Sequence, residues 1–196
     1  SYRKIMSLDE IINEIKNDPR NEEYTKRGIP PIFQINANAR ILIIGQAPGR
    51  KVEESCIPFN DKSGEKLIDW LGIDKETFYS EKIAIMPMDF YYPGKGKTGD
   101  LPPRPFIANE YHKEILDLMS DIRLTILIGK YSTDYYLKDK TKKNLTETVR
   151  NFEEYLPEFF PIVHPSPLNF RWQKNNPWFE NEVVPVLREY VNNILS

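Results

Sequence analysis

Ile41-Leu42-Ile43-Ile44-Gly45-Gln46-Ala47-Pro48-Gly49-Arg50 is the stretch on which the fold turns. Four consecutive aliphatic residues, three of them β-branched, suit a strand buried on both faces, as in a parallel sheet. Gly45 ends the run. The turn that follows carries two glycines and a proline, which let the backbone approach a ligand closely. It is not a phosphate-binding P-loop, because the Lys-Ser/Thr pair is missing, and its glycine spacing is wrong for a dinucleotide fingerprint.

Working outward, residues 83–88, Leu124–Ile128 and residues 159–163 read as three further apolar strands, the second of them ending at Gly129. Helices fall between them. Ser7 and Glu10 have capping-box spacing ahead of Ile11, Ile12 and Ile15, which predicts a helix near residues 7–17. A polar, proline-bearing stretch then runs to about residue 38. Ser63 is placed to cap a short helix carrying Leu67, Ile68 and Leu71 and closed by Gly72. Ile107, Tyr111, Ile115 and Leu118 recur at helical spacing, and a further helix is expected over 130–137. Asn176 and Pro177 suit the N-cap and first turn of a last helix. Pro185 lies inside that pattern and should kink or split it. Residues 89–106, rich in proline and glycine, form a long loop, which in a compact domain is usually functional or disordered.

Strands alternating with helices imply βαβ units and a parallel sheet, and ligands on such sheets bind beyond the carboxyl ends of the strands. The segments after the strands therefore carry the functional information. After the second strand comes Asp89-Phe90-Tyr91-Tyr92-Pro93-Gly94, followed by Lys95 and Lys97; aromatics interleaved with lysines suit bases and phosphates, or else a packed loop with a solvated tip. After the fourth comes His164-Pro165-Ser166-Pro167-Leu168-Asn169, where a histidine ends a buried strand inside a proline-fixed loop. The other of the two histidines, His112, falls on the 107–120 helix and reads as a surface residue.

The bulk properties set limits. The chain has 196 residues, 40% hydrophobic and 29% charged, which fits one globular domain rather than a disordered or fibrous chain. The single domain spans residues 1–196, with 1–37 as an N-terminal helical extension of it. No apolar run approaches the roughly 18 residues a membrane span requires. Residues 1–16 lack the apolar core of a signal peptide, so a cytoplasmic monomer is expected. One cysteine, Cys56, excludes an internal disulfide, an iron–sulfur cluster or a cysteine-built zinc site. The net charge of −2 does not advertise nucleic acid. Even so, Arg50, Lys51, Lys95, Lys97, Arg104, Arg171 and Lys174 all fall beside the site loops.

A Gly-x-x-Pro turn after the first strand, Phe59 within Ile57-Pro58-Phe59, and His-Pro-Ser after the last strand together resemble the uracil-DNA glycosylase superfamily. The resemblance covers roughly residues 38–190. It implies an α/β fold, a three-layer α/β/α sandwich with a central four-stranded parallel sheet, matching the strand count above. It implies a DNA partner, duplex or single-stranded, containing a modified base. By resemblance, residues 45–49 form a water-positioning loop under the sugar: Gln46 and Ala47 take the catalytic positions, while Gly45, Pro48 and Gly49 approach the DNA. Phe59 stacks on the extruded base. His164 donates a hydrogen bond to the departing base. Pro165, Ser166 and Pro167 press on the flanking phosphates, with Asn169 and Arg171 nearby, and Leu168 fills the gap left in the helix. No cofactor and no metal enter this scheme.

Three departures from the family pattern stand out. The first motif carries an acid in well-known branches, and here Gln46 and Ala47 supply none. The second strand usually ends in an asparagine that reads the base edge; the corresponding residue is Met86, which cannot form that bidentate pair, and Asp89 and Asn60 are the polar alternatives. The iron–sulfur branch needs four cysteines. Asp61 is a candidate substitute acid or the start of the next helix. Three functions stay open: a glycosylase acting on uracil, hypoxanthine or another deaminated base; an inactive nucleic-acid or nucleobase-binding module of the same fold; and a hydrolase or transferase acting on free nucleosides or another small molecule.

Overall fold

The computed structural model describes residues 5–196, so residues 1–4 of the expected domain lie outside the described residues. Four strands, β1 (Ile41–Ile44), β2 (Ile83–Ile85), β3 (Leu124–Ile128) and β4 (Phe159–Ile162), form one sheet in the order β2-β1-β3-β4. Every pairing is parallel, with Ile41 opposite both Ile83 and Leu124, and Thr125 opposite Phe159. In chain order the helices are α1 (Leu8–Asn17), α2 (Glu22–Lys26), α3 (Arg50–Ser55), α4 (Lys62–Leu71), α5 (Lys75–Phe78), α6 (Pro105–Ile107), α7 (Lys113–Leu116), α8 (Gly129–Leu137), α9 (Leu145–Arg150), α10 (Phe170–Asn175) and α11 (Val184–Leu195).

Alternation along the strands sends successive side chains to opposite faces, so both faces need cover. On one face Ile41, Ile43, Ile83, Ile85, Ile126 and Ile162 pack with Leu67, Trp70 and Leu71 of α4 and with Leu187 and Val191 of α11. On the other, Leu42, Ile44, Ala84 and Leu127 pack with Ile11 and Ile15 of α1, Ile115 of α7 and Leu137 of α8. The result is the three-layer α/β/α sandwich expected from the sequence. The free edge of β2 is protected by the N-terminal stretch, where Gln34 pairs antiparallel with Ile85. The Gln34 side chain also donates to the carbonyls of Phe78 and Ile83. Such cover removes an edge that would otherwise invite intermolecular pairing.

Local signals were mostly obeyed. Ser7 and Glu10 form the reciprocal capping box that starts α1. The α4 cap is Asp61, not Ser63: its carboxylate accepts from the Gly64 N–H, and Gly72 closes the helix in the left-handed conformation. An additional helix, α10, fills 170–175; the last helical run then starts directly after Asn176, as expected, with the Asn181 N–H bonded to the Pro177 carbonyl at 3.0 Å, and takes a π-helical turn at Phe179–Val183 before α11. Pro185 lies in the first turn of α11, directly after this wide turn. The missing N–H is thus accommodated where the helical pattern is already broken.

His112 corrects the surface reading. A π-helical turn at Ala108–His112 inserts one residue between α6 and α7 and rotates the helix face, so that both Tyr111 and His112 are buried. The His112 ring stacks on Phe90 and Tyr136. Its Nε2 lies 2.9 Å from the Pro87 carbonyl and its Nδ1 lies 2.6 Å from the Tyr136 hydroxyl. A carbonyl can only accept, so Nε2 carries the proton and Nδ1 accepts from Tyr136. Burial pushes the pKa from 6.5 down to about 4. Between these two values the unfolded chain binds the extra proton, so stability is full above pH 6.5 and declines as pH falls toward 4. At 1.4 kcal/mol per pH unit the contribution is about 3 kcal/mol. Urea unfolding of the wild type and His112→Gln across this range should give a stability difference that shrinks as pH falls; a constant difference would contradict the buried neutral histidine.

Candidate active site

The segments leaving the carboxyl ends of β1, β2 and β4 meet around a cavity of about 250 Å³. That is just below the usual volume for drug-sized ligands and suits one small planar group. From β1 come Gly45, Gln46, Ala47, Pro48 and Gly49; from the loop before α4, Pro58, Phe59 and Asp61; from β4, His164 and Ser166. The first loop is held to the chain after β2 by backbone bonds from Met88 to Gly45 and from Asp89 to Gln46, at 2.9 and 3.1 Å.

Phe59 adopts a positive φ of 59°, which is uncommon for a bulky residue and requires support from its surroundings. Two glycines give that support. The Phe59 ring lies over Gly45, where an added Cβ would come 3.1 Å from Cζ, and the Phe59 backbone presses on Gly64 of α4. Phe78 meets the ring edge-on at 6.2 Å. Tyr79 fixes the preceding residue by donating its hydroxyl proton to the Pro58 carbonyl at 2.7 Å.

His164 follows β4. The Ser166 N–H donates to its Nδ1 at 3.0 Å, so in the neutral ring the proton sits on Nε2. Nε2 has no hydrogen-bond partner among the described residues. Burial holds the His164 pKa below its ordinary value, with Asp61 and Asp100 acting in the opposite direction. The ring is therefore a neutral donor near pH 7. Asn169 steadies it by donating to the His164 carbonyl at 3.1 Å. The Ser166 hydroxyl accepts from the Leu168 N–H at 3.1 Å. Leu168 is 88% exposed and Phe170 67% exposed, two large apolar side chains standing in solvent beside the cavity. Arg171 is exposed next to them, and Pro165 and Pro167 line an adjoining groove.

Three expected base-contacting residues lie elsewhere. Met86 is fully buried in the second core, while its neighbours Ile85 and Pro87 reach the cavity. The alternation of an extended chain accounts for this, turning Met86 to the core and its two neighbours to the cavity. Asp89 is fully buried and grips Arg104, whose Nε and Nη2 lie 2.9 and 3.0 Å from its two oxygens. Arg104 is thereby also withdrawn from any role toward phosphates. Asn60 is half-buried and outside the cavity wall. Conversely, Ile32, Val52, Ser63 and Asp100 line the cavity although no motif marks them as site residues. Ile32 arrives on the N-terminal stretch, tied to Phe90 by a 2.8 Å backbone bond; nothing local in the sequence signals that.

Among the described residues, no group of three or more His, Cys, Asp or Glu is arranged to hold a metal ion, and no helix is long and apolar enough to cross a membrane. The chain is similar to a candidate uracil DNA glycosylase from Methanosarcina acetivorans, known from a solution NMR structure. The two are 16% identical, aligned over 81% of this chain and 94% of that one, with a TM-score of 0.49. Residues 32–188 match the family model of the Uracil DNA glycosylase superfamily. That match covers all the cavity-lining loops and most of the chain, and the protein belongs to the uracil DNA glycosylase superfamily.

Proposed function

We propose that this protein is a DNA glycosylase that flips a deaminated base, of the uracil or hypoxanthine type, into the cavity and hydrolyses its N-glycosidic bond. The observation that carries the reading is the His164 tautomer: with Nδ1 occupied by the Ser166 N–H, the ring offers Nε2–H beside an aromatic platform. Breaking the bond leaves positive charge on the sugar and negative charge on the base. A fixed neutral donor at the base oxygen stabilises that anion without reorganisation. A base must leave the duplex to reach the cavity, at a cost of a few kcal/mol. Stacking on Phe59 returns about 1–3 kcal/mol. Leu168 would fill the space the base vacates, which suits its exposure. Pro165, Ser166, Pro167 and Arg171 would hold the flanking backbone.

Oligonucleotides carrying one uracil, hypoxanthine or xanthine, single-stranded or paired, test the assignment when abasic product is revealed by hot alkali. His164→Ala should lower excision about 10²–10³-fold, the usual loss for one preorganised donor, with the circular dichroism unchanged. An unaltered rate would remove His164 from the mechanism. The runner-up reading, a module that binds nucleic acid without cleaving it, is favoured by the absence of a carboxylate within residues 45–49. It predicts affinity that falls steeply with salt and no abasic product.

A further inference from the structure

The cavity lacks an acid in its first loop but is not without carboxylates: Asp61 and Asp100 both line it. They arrive by different routes. Asp61 stands two residues after Phe59 and caps α4, with one carboxylate oxygen accepting from the Gly64 N–H at 2.9 Å. Asp100 comes from the long loop after β2. That loop closes on itself as a short hairpin. Lys95 bridges Asp100 antiparallel, Gly96 donates to the Gly99 carbonyl at 2.7 Å, and Leu101 donates to the Gly94 carbonyl at 2.8 Å. Gly94 and Gly99 supply the positive φ values, 110° and 80°, that the hairpin requires. Its neck is locked by the buried Asp89–Arg104 pair, including a 3.0 Å bond from the Arg104 N–H to Asp89. A loop built this way delivers a side chain to a fixed place.

That place is beside the loop after β1. A Cβ on Gly49 would lie 3.9 Å from Oδ2 of Asp100, so the exposed carboxylate stands close beside the segment that lacks its own acid. Among the described residues the Asp100 side chain has no hydrogen bond or ion pair, which leaves both oxygens available. Asp61 is less free to take this part, because one of its oxygens is already committed to the Gly64 N–H that starts α4.

We propose that Asp100 is the general base of this enzyme, taking the place of the absent first-loop carboxylate. The inference rests on the glycosylase reading above. In the step it serves, a water oxygen bonds to C1′ of the sugar while the C1′–N bond breaks and its electron pair departs with the base. The water proton passes to Asp100, and the base anion, held by His164 Nε2–H, is then protonated from solvent as Asp100 releases its proton. The sum is one glycoside and one water giving one free base and one sugar hydroxyl.

The test is single-turnover excision with the protein in saturating excess over the oligonucleotide, alongside binding of the same oligonucleotide followed by fluorescence anisotropy. Asp100→Asn should slow excision about 10²–10⁴-fold, the range for loss of a general base, with affinity changed less than threefold. Asp100→Glu should recover part of the rate, and Asp61→Asn should cost less than Asp100→Asn. Excision by wild type that persists in Asp100→Asn, or that depends on Asp61 alone, overturns the role of Asp100 and leaves the glycosylase reading intact. No excision by wild type on any lesion overturns both.

Discussion

Replacing Asp89 by alanine should destabilise the protein by about 3–5 kcal/mol, the loss typical of breaking a buried ion pair from one side. Asp89 is fully buried and accepts four hydrogen bonds, from the backbone of Tyr91 and Arg104 and from Nε and Nη2 of Arg104, all between 2.9 and 3.1 Å. The Arg104 guanidinium lies about 5 Å from the Tyr24 and Phe106 ring centres, so it cannot recover full hydration without disrupting them. Alanine therefore leaves a half-buried charge whose remaining hydrogen bond runs from Nη1 to the Arg20 carbonyl, and an unlatched loop. Chemical denaturation measures the loss. The double variant Asp89→Ala with Arg104→Met should recover much of it, because removing both partners of such a pair is often near neutral. A loss under about 1 kcal/mol in the single variant would show that the pair is not desolvated.

Gly64→Ala should be destabilising, where helix propensity alone predicts the opposite. An alanine inside a helix normally gains up to about 1 kcal/mol over glycine. Here the added Cβ would lie 1.7 Å from the Phe59 carbonyl oxygen and 2.7 Å from its carbonyl carbon. Both are backbone atoms, so no rotamer change relieves the clash; α4 or the Phe59 loop must move. Overpacking commonly costs 1–3 kcal/mol and occasionally more, and a backbone clash this close belongs at or beyond the upper end. The movement should fall on Phe59, which is already held at positive φ. Thermal unfolding should show the loss, and base stacking should weaken with it. A variant as stable as wild type would mean that α4 does not pack on Phe59 as described.

Much of the fold was legible because burial on both sheet faces writes itself as uninterrupted apolar runs, as in Ile41–Ile44 and Leu124–Ile128. The loops holding Gly45, Phe59 and His164 were legible because they follow such runs directly or carry a distinctive motif. What escaped depended on information that spacing does not hold. The π-helical turn that buries His112 is a one-residue shift in phase, invisible to a 3.6-residue pattern. Met86 was misjudged for a similar reason, since a slip of one residue along an extended chain exchanges the cavity for the core. Asp89 and Arg104 are fifteen residues apart, and only the closed loop between them brings the charges together. Asp100 reaches the cavity for the same reason, on a hairpin whose shape its own residue type does not announce.

The function proposed for this chain is the release of a base from DNA. Its most direct test is chromatographic detection of free base after incubating the purified protein with uracil-, hypoxanthine- or xanthine-containing oligonucleotides, with His164→Ala in parallel. The expected result is release of one of these bases in amounts matching the abasic sites formed, and its loss in the variant. Oligonucleotide binding without any free base, or equal release by His164→Ala, would contradict it.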